Sequence, residues 1–376
     1  MCPIQPREQL RHISMYSPGK PIEELQRELG ITNVIKMASN ENPFGSSSLA
    51  KQAITDEMEN MHLYPEITAP VLANKLAKRL EVSADQLVLG NGSDEIIRMM
   101  TRSYLQDNDE VIMASVTFPR YKTNVIIDGG VPVEVPMKTG GVHDLQAMEN
   151  AINKNTKMII VCNPNNPTGT MVSAHELEAF IKRIPSHILV IIDEAYYEYI
   201  RTDDYFQSIN FLDKHENLII LRTFSKIYGL ASLRVGYGIM HPAIVSELLK
   251  SKEPFNVNRF AQAAAYACLD DDAFMKKTQE QNNNGRLYLE NAFQRLGLSY
   301  FSTHTNFIMV DTKIPAETIN DELLKNGIII RPGHLMGYPT MIRLTIGTEE
   351  ENRLFIEALE EILQRHANHY SRKVDA

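Results

Sequence analysis

The chain has 376 residues, of which 43% are hydrophobic and 23% charged, which is enough for one large and one smaller globular domain. Its net charge of -9 argues against a general nucleic-acid binder, although a few local arginines suffice to hold a small anionic ligand. The three scattered cysteines, Cys2, Cys162 and Cys268, argue against a disulfide framework, and with no zinc-type spacing, apolar leader or membrane-length apolar run, a cytoplasmic enzyme with neither metal nor membrane partner is expected.

In chain order, Pro21–Gly30 predicts a helix that starts at proline, ends at glycine and turns Ile22, Leu25 and Leu29 to one side. Residues 36–45 form a polar loop in which Asn40 is either a plain turn residue or a site residue. Tyr64-Pro65 breaks a helical region, and a helix over 69–80 leads to Leu87-Val88-Leu89-Gly90-Asn91-Gly92-Ser93-Asp94. There a short strand enters a glycine turn, and Ser93 is placed to cap the next helix. The free N–H groups of such a turn can cradle a phosphate, though the same pattern also makes ordinary connections.

Strands are predicted at 110–116, 131–135, 157–162 and 188–192, with helices between them and a capping box at Ser173–Glu176. The turn Asn163–Gly169 carries two prolines and three asparagines, which prescribes its shape tightly. Another apolar strand, Leu218–Leu221, runs into Ser225-Lys226, and Arg234 follows. Helices are expected at 242–252, 259–270 and 273–296, and strands at 306–310 and 341–347 bracket a helix near 315–326 before a final amphipathic helix. The alternation predicts an α/β fold: a three-layer large domain with a mainly parallel sheet over 45–260, and a smaller α+β domain from 1–44 and 261–376. Phe118, Asn166, Asp193, Ser225 and Lys226 all fall at or just past strand ends, where such folds bind ligands.

Asp193 discriminates between chemistries. A carboxylate at the end of an all-apolar strand is costly to ionise without a cation beside it. Mg²⁺ in a nucleotide hydrolase would need a G-x-x-x-x-G-K-[ST] loop, and the sequence has none. The protonated pyridine nitrogen of pyridoxal phosphate would need a lysine nearby that can bond its aldehyde, and Lys226 is available. Phe118 would then stack on the ring, Asn166 and Tyr196 would hold its phenolic oxygen, and Ser93, Asp94, Ser225 and Arg234 would take the phosphate.

Taken together, Tyr16-Ser17-Pro18-Gly19-Lys20, Asn40-Glu41-Asn42-Pro43, Tyr64-Pro65, Gly92-Ser93-Asp94-Glu95, Asn165–Gly169, Asp193-Glu194-Ala195-Tyr196, Ser225-Lys226 and Arg343-Leu344-Thr345-Ile346-Gly347 resemble the aspartate-aminotransferase-type (fold type I) pyridoxal-phosphate enzymes. Within that group they are similar to the histidinol-phosphate aminotransferases of histidine biosynthesis. The resemblance spans nearly the whole chain. It implies that Lys226 bonds the cofactor and moves a substrate proton, and that Asp193 and Tyr196 serve the catalysis. It also implies a homodimer in which Tyr64 reaches the partner subunit's cofactor. Phe118 stands where similar proteins often have tyrosine, so the stacking is kept and any hydroxyl role is lost.

Arg343 aligns with the arginine that binds the substrate carboxylate in related enzymes; here it would hold the substrate phosphate, with Arg331 as a second clamp and Asn40 and Tyr16 near the substrate end. The small-molecule partners are an amino donor and a 2-oxo acid. The motifs leave open an aromatic amino-acid aminotransferase and a phosphothreonine decarboxylase relative.

Overall fold

The computed structural model describes residues 4–15 and 20–374. A two-residue strand, β1 (Ile35–Lys36), precedes the large sheet. That sheet contains β2 (Leu87–Gly90), β3 (Glu110–Ala114), β4 (Val131–Val135), β5 (Thr156–Cys162), β6 (Leu189–Asp193), β7 (Leu218–Thr223) and β8 (Gly236–Met240), in the spatial order β2-β8-β7-β6-β5-β3-β4. The pairs β3·β4, β3·β5, β5·β6 and β6·β7 are parallel, and β8 runs antiparallel to both of its neighbours.

The apolar runs become strands because both faces of this sheet are covered. Val190, Ile192, Leu218 and Ile220 point into one core, with the helices Pro70–Leu80, Ala174–Arg183 and Arg259–Cys268 over them. Leu189, Ile191, Ile219 and Leu221 point into the other, beneath Ser93–Tyr104, Arg120–Ile127 and Pro242–Ser251. Alternate residues of one strand thus serve opposite layers, which is why no polar face interrupts the runs. Fully burying one such side chain contributes about 1.5–3 kcal/mol.

A second sheet, in the order β12-β13-β10-β9, is formed by β9 (Ser299–Tyr300), β10 (Phe307–Asp311), β12 (Arg331–Pro332) and β13 (Met341–Thr345); β11 (Ile328–Ile329) pairs with β1 instead. The helices Asp272–Arg295, Ala316–Lys325 and Glu349–Val374 close a third core over it, with Phe293, Leu323 and Phe355 inside. The predicted helix at 21–30 is observed as Ile22–Leu29, with Gly30 in the left-handed region, but only Leu25 of its apolar side is buried.

One local expectation is corrected. Ser93 does not cap its helix; it is the first helical residue, and Gly92 is the cap, at φ 76 and ψ 166. That backbone conformation disfavours any residue with a Cβ, so the cap falls to the glycine. Among the described residues no helix is long and apolar enough to cross a membrane.

Candidate active site

The direction of the chain's progress across the large sheet reverses beside β5: β3 leads outward to β4, whereas β5 leads the other way to β6 and β7. A crevice opens at the carboxyl ends of the strands where the order switches. The chain past β3 brings Phe118 there, the chain past β5 brings Asn166, β6 ends in Asp193, and β7 feeds Ser225 and Lys226.

Lys226 and Asp193 line one small cavity of about 120 Å³, together with Gly92, Ser93, Asp94, Phe118, Asn166, Tyr196, Ser225 and Arg234. Asp193 is 3% exposed, and its Oδ2 accepts the Tyr121 hydroxyl at 2.7 Å while Oδ1 accepts the Ala195 N–H at 3.1 Å. Burial raises its carboxyl to about 6, against these two hydrogen bonds. The Lys226 Nζ rests against the carbonyls of Ser39 (3.4 Å) and Asn40 (3.3 Å). Burial, and next the Arg343 guanidinium, lower the Lys226 ammonium to about 8. The hydroxyl of buried Tyr196 accepts hydrogen bonds from Asn40 at 3.0 Å and Asn166 at 3.3 Å, and burial raises its pKa.

One wall of the cavity is built for an anion. Gly236 packs so closely that a Cβ would lie 2.6 Å from the Ser93 nitrogen, and a Cβ on Gly92 would lie 2.6 Å from Nη2 of Arg234. Arg234 Nη1 donates to the Ala231 carbonyl at 3.1 Å and the Ser225 hydroxyl at 3.4 Å. The N–H groups of the helix start and a permanent cation therefore meet at the same spot.

A larger cavity of about 420 Å³ shares Phe118, Asn166 and Lys226 with the first and adds Asn40, Arg331 and Arg343. Arg331 and Arg343 are register partners across β12 and β13. Arg343 donates to Asn166 Oδ1 and to the Ala38 carbonyl, both at 2.6 Å. Asn40, at φ 58, receives Asn306 Nδ2 on its carbonyl at 3.0 Å and donates its N–H to Thr345 Oγ1 at 2.9 Å, so the second sheet holds it in place.

Of the expected site residues, twelve including Asn40, Arg331 and Arg343 line these two cavities. Tyr64 lines neither; it is 79% exposed and stacks on Phe255 with ring centroids 4.6 Å apart. Tyr16 lies outside the described residues. Sequence reasoning missed Tyr121; its signal was its place three residues past Phe118, in the first turn of the helix Arg120–Ile127, where the two rings meet edge to face with centroids 5.5 Å apart.

The residues present suit pyridoxal phosphate: an amine and a buried acid on one cavity, an aromatic wall, and an anion cradle that added Cβ atoms would fill. Residues 32–359 match the family aminotransferase class I and II, and the chain belongs to that family, which works with pyridoxal phosphate. It is 48% identical over 360 residues to the histidinol-phosphate aminotransferase of Brevibacillus brevis, covering 96% of this chain and 99% of that one. The enzyme of the same name from Bacillus subtilis strain 168 is 46% identical over 357 residues, 95% of this chain and 99% of the relative. Among solved structures, the histidinol-phosphate aminotransferase of Sinorhizobium meliloti in complex with pyridoxal-5'-phosphate superposes with a TM-score of 0.88 at 27% identity, covering 96% of this chain and 97% of that one.

Proposed function

We propose that the chain transfers the amino group of histidinol phosphate to 2-oxoglutarate, giving imidazole acetol phosphate and glutamate, a step of histidine biosynthesis. The observation that carries the substrate is the facing pair Arg331 and Arg343 on the cavity that Lys226 also lines. Two permanent cations suit a phosphate dianion better than a single carboxylate. The near full-length likeness to relatives bearing this name supports the same reading.

When bound, pyridoxal phosphate supplies an aldehyde and an electron-withdrawing ring, which let an amino group be exchanged for a carbonyl. The chain's own residues do the rest. Ser93 and Asp94 main chain, Ser225 and Arg234 would hold the phosphate, Phe118 would cover the ring, and Asn166 and Tyr196 would contact the phenolic oxygen. Asp193 would face the ring nitrogen; a cation there favours the carboxylate that burial alone disfavours. Lys226, with its ammonium lowered to about 8, has a neutral fraction near neutral pH that takes the substrate's α-proton at Nζ and returns it later.

The chain acts as a cytoplasmic homodimer in this reading. The support is a run of exposed apolar side chains, Met58, Met61, Leu63, Tyr64, Ile67 and Val71, of the kind that marks an interaction surface when contiguous. Tyr64 would serve the partner's site from there.

Steady-state kinetics of the purified protein with 2-oxoglutarate test the proposal. The kcat/KM for histidinol phosphate is expected to exceed that for phenylalanine by about a hundredfold or more, since the arginines have no dianion to pair in the latter. Equal or better use of phenylalanine, or carbon dioxide release from phosphothreonine, would overturn the substrate assignment.

A further inference from the structure

Glu95 is a buried carboxylate, 6% exposed, that lines neither cavity of the site. It is the third residue of the helix Ser93–Tyr104. Its Oε2 accepts the Asn91 N–H at 2.6 Å and Asn256 Nδ2 at 2.5 Å, and its Oε1 accepts Arg98 Nη2 at 3.2 Å. The Asn256 amide also reaches the Leu89 carbonyl at 3.3 Å, so one side chain ties β2, the turn and Glu95 together.

An acid one turn into this helix would repel an anion at the helix start unless its charge were engaged elsewhere. Here both oxygens are occupied. Asn91, the first residue of the turn, spends its N–H on Glu95. The N–H groups of Gly92, Ser93 and Asp94, at the cap and the first two helical positions, have no carbonyl one turn back. The left-handed backbone at Gly92 is thus held through Asn91 by Glu95, while Arg234 stands against its Cα. Asn256 itself follows Phe255, which has φ 57 and carries the ring stacked on Tyr64.

We infer that Glu95, bridged by Asn256, is a positioning residue for the cofactor phosphate: it fixes the turn in the shape that presents three N–H groups while touching no ligand itself. The inference rests on reading the turn as the phosphate cradle. A carboxylate that merely stiffened the fold would affect phosphorylated and unphosphorylated ligand alike.

The test titrates cofactor-free protein with pyridoxal phosphate and, separately, with pyridoxal, following the absorbance change. Glu95→Gln keeps the volume but aims an NH2 group at donors, and is expected to weaken pyridoxal phosphate by about tenfold, the loss of one charged hydrogen bond. Pyridoxal should be unaffected. Asn256→Ala should move the ratio of the two affinities in the same direction, and the double variant should match Glu95→Gln within about twofold, because both act through one network. Should Glu95→Gln fail to fold, Asn256→Ala carries the same ratio test. An unchanged ratio in these variants would overturn the inference. Arg234→Gln separates the two failures: if it too leaves the ratio unchanged, the cradle reading itself falls.

Discussion

Asp193 and Lys226 each sit buried in the less comfortable charge state. The Asp193 carboxyl is raised to about 6, above its ordinary 3.8. Between those values the folded cofactor-free chain holds a proton that the unfolded chain has released, so stability falls as pH rises through the window and the penalty is complete above it. Cofactor-free Asp193→Asn is therefore expected to melt above the parent at pH 7.5, the gap closing as pH falls towards 4; scanning calorimetry at several pH values reads it. For Lys226, lowered to about 8 from 10.5, the unfolded chain binds the extra proton between those values, and stability rises with pH across that range. Loaded with cofactor, Asp193→Asn should keep the visible absorbance but lose most of its turnover. Lys226→Ala should lose a factor of at least about a hundred in single-turnover rate. Asp193 was legible because it ends an apolar run, where an ionisable group is out of place, and Lys226 because it sits in the turn that follows another. Tyr121 was not, because a tyrosine on an amphipathic helix reads equally well as core.

Strand ends carry the site, and one of them also carries a buried ion pair. Glu194, just past β6, accepts Arg222 Nε of β7 at 2.8 Å and Ser208 Oγ at 2.6 Å, as well as the Tyr205 hydroxyl, while the Arg222 guanidinium lies 3.7 Å over the Tyr197 ring. Both charged residues are almost fully buried. Breaking such a pair leaves an uncompensated charge, so Arg222→Met should destabilise by about 3–5 kcal/mol in urea titration, more than Arg222→Met combined with Glu194→Gln. The long strands were readable from the sequence because both faces are covered. The two-residue strands β1, β9, β11 and β12 were not, since two residues show no period. Nor does β8 announce itself: its Gly236 is required by contact with Ser93, and glycines weaken a strand signal.

For the whole molecule, the site is assembled from separate hydrophobic bodies. Lys226 and Asp193 belong to the large sheet, Arg331 and Arg343 to the second sheet, and Tyr64 to the exposed apolar run that the proposed homodimer would cover. Tyr64→Ala and Lys226→Ala chains, each impaired alone, are then expected to regain activity when unfolded and refolded together, because a hybrid pair holds one intact site. No recovery, with hybrids present by native mass spectrometry, would show that each chain works alone. The architecture was visible in the alternation of the sequence. The role proposed for Tyr64 was not readable by residue physics, because an exposed tyrosine stacked on Phe255 reads equally well as an ordinary surface contact.

The resting Lys226 amine leans on two peptide carbonyls, and the stretch that carries them is pinned by Arg343 at Ala38 and by Thr345 and Asn306 at Asn40. Carbonyls have no proton of their own to gain or lose. The leash on the nucleophile therefore responds to acidity only through the amine itself: the ammonium, with its charge, is held more tightly than the neutral form. In the empty enzyme, a rise in pH through about 8 thus slackens the tether in the same step that frees the lone pair.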